Sequence, residues 1–236
     1  MADDGPKHGA ELHFGFIEML FALAAAEVAI KAGQFVDDVT QWDASYFAVA
    51  SHLVLATVVI AASWVGWGSS KFARKDSELG TIFSLDFLKL LMDVGLVVAY
   101  FILAHSVEKL VIDPQTKTIS FIPSAVPEFR WVTVIIAAYF FWDIVSKVKQ
   151  PRFILTRGWA SAVCLVLVIL LWILVVPQAT SGVGAVICID LSLLGLVVLF
   201  RAMKMNDLDK TDLRQWITMG ICFVFMLAFG FASNFV

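Results

Sequence analysis

The chain has 236 residues, of which 60% are apolar and 16% are charged, whereas a soluble domain has about 45–50% apolar and about 25% charged residues. A soluble fold of this length cannot bury so large an apolar fraction, which indicates a membrane protein. The net charge of −3 and the lack of a basic arm exclude a nucleic-acid-binding protein. The three cysteines lie inside apolar runs, which argues against a disulfide scaffold.

Seven apolar stretches follow one another along the chain. A helix that crosses a bilayer needs about 20 mainly apolar residues, and the fourth stretch, which begins just after Pro127, is the shortest. We therefore expect an all-α, polytopic membrane helix bundle that forms a single transmembrane domain over residues 1–236. The predicted spans are Leu12–Ala32, Ser45–Gly68, Ile82–His105, Trp131–Ser146, Gly158–Pro177, Gly182–Phe200 and Leu213–Phe235.

The segment Val107–Arg130 is the longest connection between predicted spans. Its residues Asp113–Lys117 have the composition of a turn, with proline beside polar residues. A hairpin between Leu110–Ile112 and Thr118–Ile122 is the structure that this turn favours.

Lysine and arginine are distributed unevenly between the two ends of the predicted spans. Twelve of the 17 fall at one end, at Lys7 and within residues 71–75, 147–157 and 201–214. The other end has Lys31, Lys109, Lys117 and Arg130. Because basic loops stay in the cytoplasm, we expect a cytoplasmic N-terminus and a C-terminus outside.

Ionisable side chains inside the predicted spans are candidates for a functional site, because a charge in hydrocarbon is costly. Asp86, Lys89 and Asp93 follow one another on one face of the third span. They form either a structural ion pair or the lining of an ion pathway. Carboxylates from other spans complete the predicted pathway: Glu18, Asp143 and Asp190.

A second group, Glu27, His52 and His105, lies towards the other end of the spans. Such a set can bind a divalent metal or relay protons. The alternative is that Glu27 pairs with Lys31 while each histidine bonds to backbone or water. For a haem, His52 and His105 are the one candidate pair of ligands, and both lie near the membrane interface.

Two segments resemble known families. The segment Phe16–Leu23 (FIEMLFAL) is similar to the first-helix Glu-Leu-Phe-Phe-Asp-Leu motif of the low-temperature-requirement A family, with Glu18 as the motif glutamate and Ala22 in place of the aspartate. Ser63–Trp67 (SWVGW), followed by Lys71–Arg74 (KFAR), resembles the Trp-rich end of that family's second helix. The resemblance covers about the first 75 residues.

The same layout resembles bacterial members of the lysosomal potassium-channel family. Their first helix carries Phe-Ser-Asp and lines the pore, and Phe16–Glu18 stands in that place here. The arginine that precedes the family's motif is replaced by Leu12, and the family's repeat has six spans. Both resemblances imply a membrane protein, and the second implies ion permeation.

We therefore expect a channel or small transporter for a monovalent cation or a proton, in a lipid bilayer and most simply the bacterial inner membrane. We expect such a chain to form a homo-oligomer or to bind a membrane-protein partner. The alternatives are a non-catalytic membrane subunit or scaffold, and a metal- or haem-binding redox protein. Nothing in the sequence names a cofactor, and no GxSxG, HExxH, CxxC or P-loop motif indicates an enzyme.

Overall fold

The computed structural model describes residues 7–38, 44–71, 84–107, 110–112, 119–121, 123–146, 158–175, 182–205 and 212–235. In this part of the chain there is one helix for each predicted apolar stretch, so the helical architecture is confirmed. The helices are α1 (Lys7–Asp38), α2 (Ser45–Lys71), α3 (Leu85–His105), α4 (Val126–Ser146), α5 (Trp159–Leu174), α6 (Val183–Met205) and α7 (Leu213–Ala232).

Side-chain caps fix where α3 and α7 begin. Ser84 Oγ accepts the backbone N–H of Phe87 at 3.1 Å, so α3 starts at Leu85 rather than at Ile82. Asp212 and Gln215 form a capping box at the start of α7. The Asp212 side chain accepts the backbone N–H of Gln215, and the Gln215 side chain accepts the backbone N–H of Asp212. Both caps satisfy N–H groups that have no partner within the helix.

Helix α4 begins before the predicted fourth span. The structure extends α4 five residues towards the N-terminus, from Trp131 to Val126, and gives it 21 residues. Pro127 is tolerated there because an N–H in the first turn of a helix has no intrahelical acceptor. The extension brings Glu128 into the first turn of α4, where its side chain is fully buried.

The predicted sixth span ended too early. The structure continues α6 beyond Phe200 to Met205. Arg201 and Lys204, which had been counted with the basic residues of a loop, therefore lie in the last turns of a helix and are partly buried. Long basic side chains can continue a membrane helix because their apolar stems pack along it.

Helix α6 is the centre of the bundle. Ile189, Leu193 and Leu196 are almost completely buried in it, and α6 packs against α2, α4, α5 and α7. Close approach of α7 requires glycine, since a Cβ atom on Gly195 would lie 3.0 Å from Phe225 Cδ1 and 3.3 Å from Met226 Cα. Small residues serve this purpose between membrane helices. Helix α1 packs on α3 and α2, and α3 packs on α4.

Four of the described helices are long and apolar enough to cross a membrane: Ser45–Gly68 in α2, Phe87–His105 in α3, Val183–Lys204 in α6 and Leu213–Ala232 in α7. Helix α5 is apolar but has 16 residues. These lengths and compositions support a membrane location. The larger count of seven spans stays a prediction.

Two short strands lie between α3 and α4. The strands β1 (Leu110–Ile112) and β2 (Ile119–Phe121) pair antiparallel, with Leu110 opposite Phe121 and Ile112 opposite Ile119. The predicted turn at 113–117 lies outside the described residues.

Candidate functional site

Three helices each carry two polar side chains that are eleven residues apart. Eleven residues make about three helical turns, or about 16 Å along the axis, so both members of a pair lie on one face. The pairs are His52 and Ser63 on α2, Glu128 and Tyr139 on α4, and Asp190 and Arg201 on α6.

These pairs create two polar layers in the bundle. The histidine layer consists of Ser51, His52, Glu128 and Asp190. The tyrosine layer consists of Ser63, Tyr100, Tyr139 and Arg201. A third group, the aspartate cluster, adjoins the tyrosine layer and consists of Asp93, Trp142, Asp143, Ser161 and Lys204.

His52 and Glu128 form the core of the histidine layer. His52 Nδ1 lies 2.6 Å from Glu128 Oε1, and both side chains have no exposed surface. His52 Nε2 lies 3.1 Å from the Leu103 carbonyl oxygen, and a carbonyl only accepts, so Nε2 carries a hydrogen and donates it. One further proton is then shared between Nδ1 and Oε1, which keeps the buried pair neutral overall.

Asp190 is the other carboxyl group of the histidine layer. It is 1% exposed, and its Oδ2 lies 2.6 Å from Ser51 Oγ. Ser51 Oγ also lies 2.8 Å from the Ala48 carbonyl oxygen. The serine hydroxyl has one hydrogen, so a proton on Asp190 allows both contacts to be hydrogen bonds at once.

The predicted metal ligands divide between two separate pairs. Glu27 Oε1 lies 2.8 Å from Nδ1 of His105, which is 60% exposed and stacks on Phe101. Both ring nitrogens of His52 face other groups, Glu128 and the Leu103 carbonyl. Among the described residues, no group of three His, Cys, Asp or Glu side chains is arranged to hold a metal ion.

The tyrosine layer joins α3, α4 and α6. Tyr100 OH donates to Tyr139 OH at 2.9 Å, and Arg201 Nη2 donates to the same oxygen at 3.1 Å. The guanidinium carbon lies 5.5 Å from the Tyr139 ring centroid, a cation–π distance. The guanidinium also packs on Gly66 of α2, where a Cβ atom would lie 1.9 Å from Arg201 Nη1.

The aspartate cluster contains two of the predicted pathway residues, Asp93 and Asp143. Trp142 Nε1 donates to Asp93 Oδ1 at 2.8 Å, and Asp143 follows Trp142 in the chain. Lys204 Nζ lies 2.5 Å from Asp143 Oδ1, while Ser161 Oγ donates to Asp143 Oδ2. Asp93 and Asp143 are 5% and 3% exposed, so these charges are held by donors inside the protein rather than by solvent.

The other predicted pathway residues are more scattered. Glu18 is exposed on α1, and Lys89 is half-buried on α3. The side chain of Asp86 lies outside the described part of the structure.

Apolar side chains separate the two layers. Val59, Val132, Ile136 and Val197 line a cavity of about 20 Å³ where α2, α4 and α6 meet, and the tyrosine layer closes one end of it. A cavity of this size holds about one water molecule. Apolar side chains and this small cavity therefore lie between the two polar layers.

Sequence reasoning missed Glu128, Tyr139, Arg201 and Lys204. Glu128 and the two basic residues lie at helix ends that had been assigned to loops. The eleven-residue repeat in α2, α4 and α6 is the signal that could have found them, because it places three polar pairs at matching heights.

No protein-family model matches the chain, and neither a curated protein nor a solved structure matches it.

Proposed function

We propose that this protein is a membrane channel or small transporter whose cargo is the proton. The observation that supports it most is the stacking of two layers of buried and partly buried polar groups on the same faces of α2, α4 and α6. Buried ionisable groups in membrane helices are characteristic of proton relays. The proposed path runs from the histidine layer to the tyrosine layer and the aspartate cluster.

A proton suits this junction better than a hydrated metal cation. The cavity between the layers has about 20 Å³, which admits about one water molecule and not a hydration shell. Arg201 also lies at the tyrosine-layer end, and its positive charge opposes the entry of a metal cation. A proton moves between hydrogen-bonded groups and needs no such space.

The apolar section supplies a natural gate. Val59, Val132 and Val197 border the cavity that separates the layers, and narrow hydrophobic sections control permeation by their wetting. Transfer then requires water to enter this section, or a small movement of α6 against α2 and α4. Under the positive-inside rule the tyrosine layer faces the cytoplasm and the C-terminus lies outside. The membrane that we propose is the bacterial inner membrane.

The experiment is proton flux into proteoliposomes that contain a pH-sensitive dye, with a potassium gradient and valinomycin to set the membrane voltage. We expect flux with the wild-type protein and a large reduction with Glu128→Gln, which preserves shape but disturbs the shared proton. Asp212→Asn, at the N-cap of α7, is the matched control. Wild-type flux equal to that of empty liposomes contradicts the proposal.

A non-catalytic membrane subunit is the second candidate. It is favoured by Asp143, whose two oxygens meet Lys204 and Ser161 in an arrangement that holds α4, α5 and α6 together. In that role the buried charges determine helix packing. Substitutions in the two layers would then lower stability in proportion to burial, and no variant would alter proton permeability.

A further inference from the structure

A second cavity lies between α2 and α6, beside Asp190. It has a volume of about 210 Å³, larger than the roughly 150 Å³ apolar cavity that accepts benzene. Its walls are mainly apolar, from Ala50, Val54, Leu191 and Leu194, with Ser51 and Asp190 as the polar groups. Val54 is 53% exposed, so the cavity opens at the outer surface of the bundle.

The position of this cavity determines what can enter it. Both α2 and α6 are long and apolar enough to span a membrane, and Val54 and Asp190 lie well inside those segments. A ligand therefore arrives through hydrocarbon and needs an apolar body. The carboxyl group of Asp190, 1% exposed, is the one acidic group among the residues that line the cavity. The complementary group is a basic nitrogen.

We propose that the α2–α6 cavity is a binding site for a small lipophilic amine, which places its ammonium group on Asp190 and its apolar body among Ala50, Val54, Leu191 and Leu194. Benzylamine is the simplest such probe, because it joins a basic nitrogen through one methylene to a benzene ring, and an apolar cavity of roughly 150 Å³ accepts benzene. This is a binding site beyond proton transport, and it requires no flux through the tyrosine layer.

Binding has a defined proton balance. Ser51 Oγ has one hydrogen and lies within hydrogen-bond distance of both Asp190 Oδ2 and the Ala48 carbonyl. We therefore take the buried Asp190 as protonated in the absence of ligand. When an ammonium ion binds, the O–H bond of Asp190 breaks, the carboxylate pairs with the ammonium, and the proton leaves to solvent. An amine that arrives neutral from the bilayer takes that same proton onto its nitrogen.

The test is isothermal titration of the purified protein in nanodiscs with benzylamine, using toluene as the uncharged probe. We expect saturable benzylamine binding with release of about one proton per ligand, measured in buffers of different ionisation enthalpy. Asp190→Asn should weaken benzylamine binding by at least about tenfold, because it removes a charge-assisted hydrogen bond. Asp212→Asn, remote from the cavity, should bind as the wild type does.

A second variant tests the cavity itself. Ala50→Leu fills the space and keeps Asp190, so it should abolish benzylamine binding even where Asp190→Asn does not fold. Equal affinity in wild type and Asp190→Asn, equal affinity for toluene and benzylamine, or unchanged binding in Ala50→Leu overturns the proposal. No gradient is present in this experiment, so its outcome is independent of whether proton transport is observed.

Discussion

The imidazole of His52 and the carboxyl group of Glu128 lie 2.6 Å apart with no exposed surface on either side chain. They come from α2 and α4 and have the Leu103 carbonyl of α3 as a third member. A pair so completely removed from solvent is stable while its total charge is zero. Burying either partner without the other costs folding free energy. It therefore couples the packing of three helices to the position of one proton.

The first prediction concerns this pair. Glu128→Leu should lower the free energy of unfolding by about 3 kcal/mol, since it leaves a buried imidazole without its carboxyl partner. His52→Leu combined with Glu128→Leu should recover much of that loss, because two apolar side chains replace both members. Thermal unfolding in detergent measures both values. Additive losses in the double variant would mean that the two side chains are not coupled.

Much of the fold follows from the apolar periodicity alone. Each apolar stretch became a helix, and the short β1–β2 pair lies in the segment where a hairpin was expected. The errors concern helix ends, where Pro127 was read as a boundary although it sits in the first turn of α4. Local composition cannot reveal that Arg201 continues α6, since that depends on the tyrosines and the glycine it packs against.

The candidate site was harder to predict. Asp93, Asp143 and Asp190 were identified because a carboxylate in an apolar run is conspicuous. Their partners were not, since Trp142, Ser161 and Ser51 are ordinary residues of a membrane helix until a neighbouring helix is placed beside them. The histidines were grouped because they lie at a similar depth along their helices. Depth does not determine which neighbouring helix a side chain faces: His52 faces α4, while His105 faces Glu27 of α1.

Topology gives the second prediction. Twelve of the 17 lysines and arginines lie at one end of the predicted spans, so a reporter fused after Val236 should report the non-cytoplasmic compartment. Paired alkaline phosphatase and green fluorescent protein fusions measure this, with phosphatase active and fluorescence absent. A fluorescent C-terminal fusion would show that the number of membrane crossings is even, with α5 the first helix to reconsider because of its length.

Asp93 carries the third prediction. Asp93→Asn retains an oxygen that accepts the Trp142 N–H and removes the charge. The folded protein should survive, and proton flux should fall at least about tenfold if the carboxylate relays protons. Asp212→Asn controls for the substitution itself. If the Asp93→Asn protein folds and transports protons at the wild-type rate, Asp93 is not part of the proton path. That result would favour a packing role for the aspartate cluster.

The fourth prediction compares two glycines in the same helix. A Cβ atom on Gly66 would lie 1.9 Å from Arg201 Nη1, whereas one on Gly68 meets nothing within 4 Å. Gly66→Ala should move the guanidinium away from Tyr139 and break their 3.1 Å hydrogen bond. Gly68→Ala should stabilise slightly, because alanine favours a helix over glycine by about 1 kcal/mol.

The guanidinium is the end of a flexible side chain and can shift, so Gly66→Ala should fold. Both variants gain the same helix propensity, so Gly66→Ala should be less stable than Gly68→Ala by about 1–2 kcal/mol, the cost of the one hydrogen bond that it loses. We expect the two variants to differ more clearly in proton flux than in stability. Displaced from the tyrosine layer, Arg201 no longer holds Tyr139, and proton flux should change in Gly66→Ala while Gly68→Ala keeps the wild-type rate. Identical stability and identical flux in the two variants would show that the contact between Arg201 and Gly66 does not organise the layer.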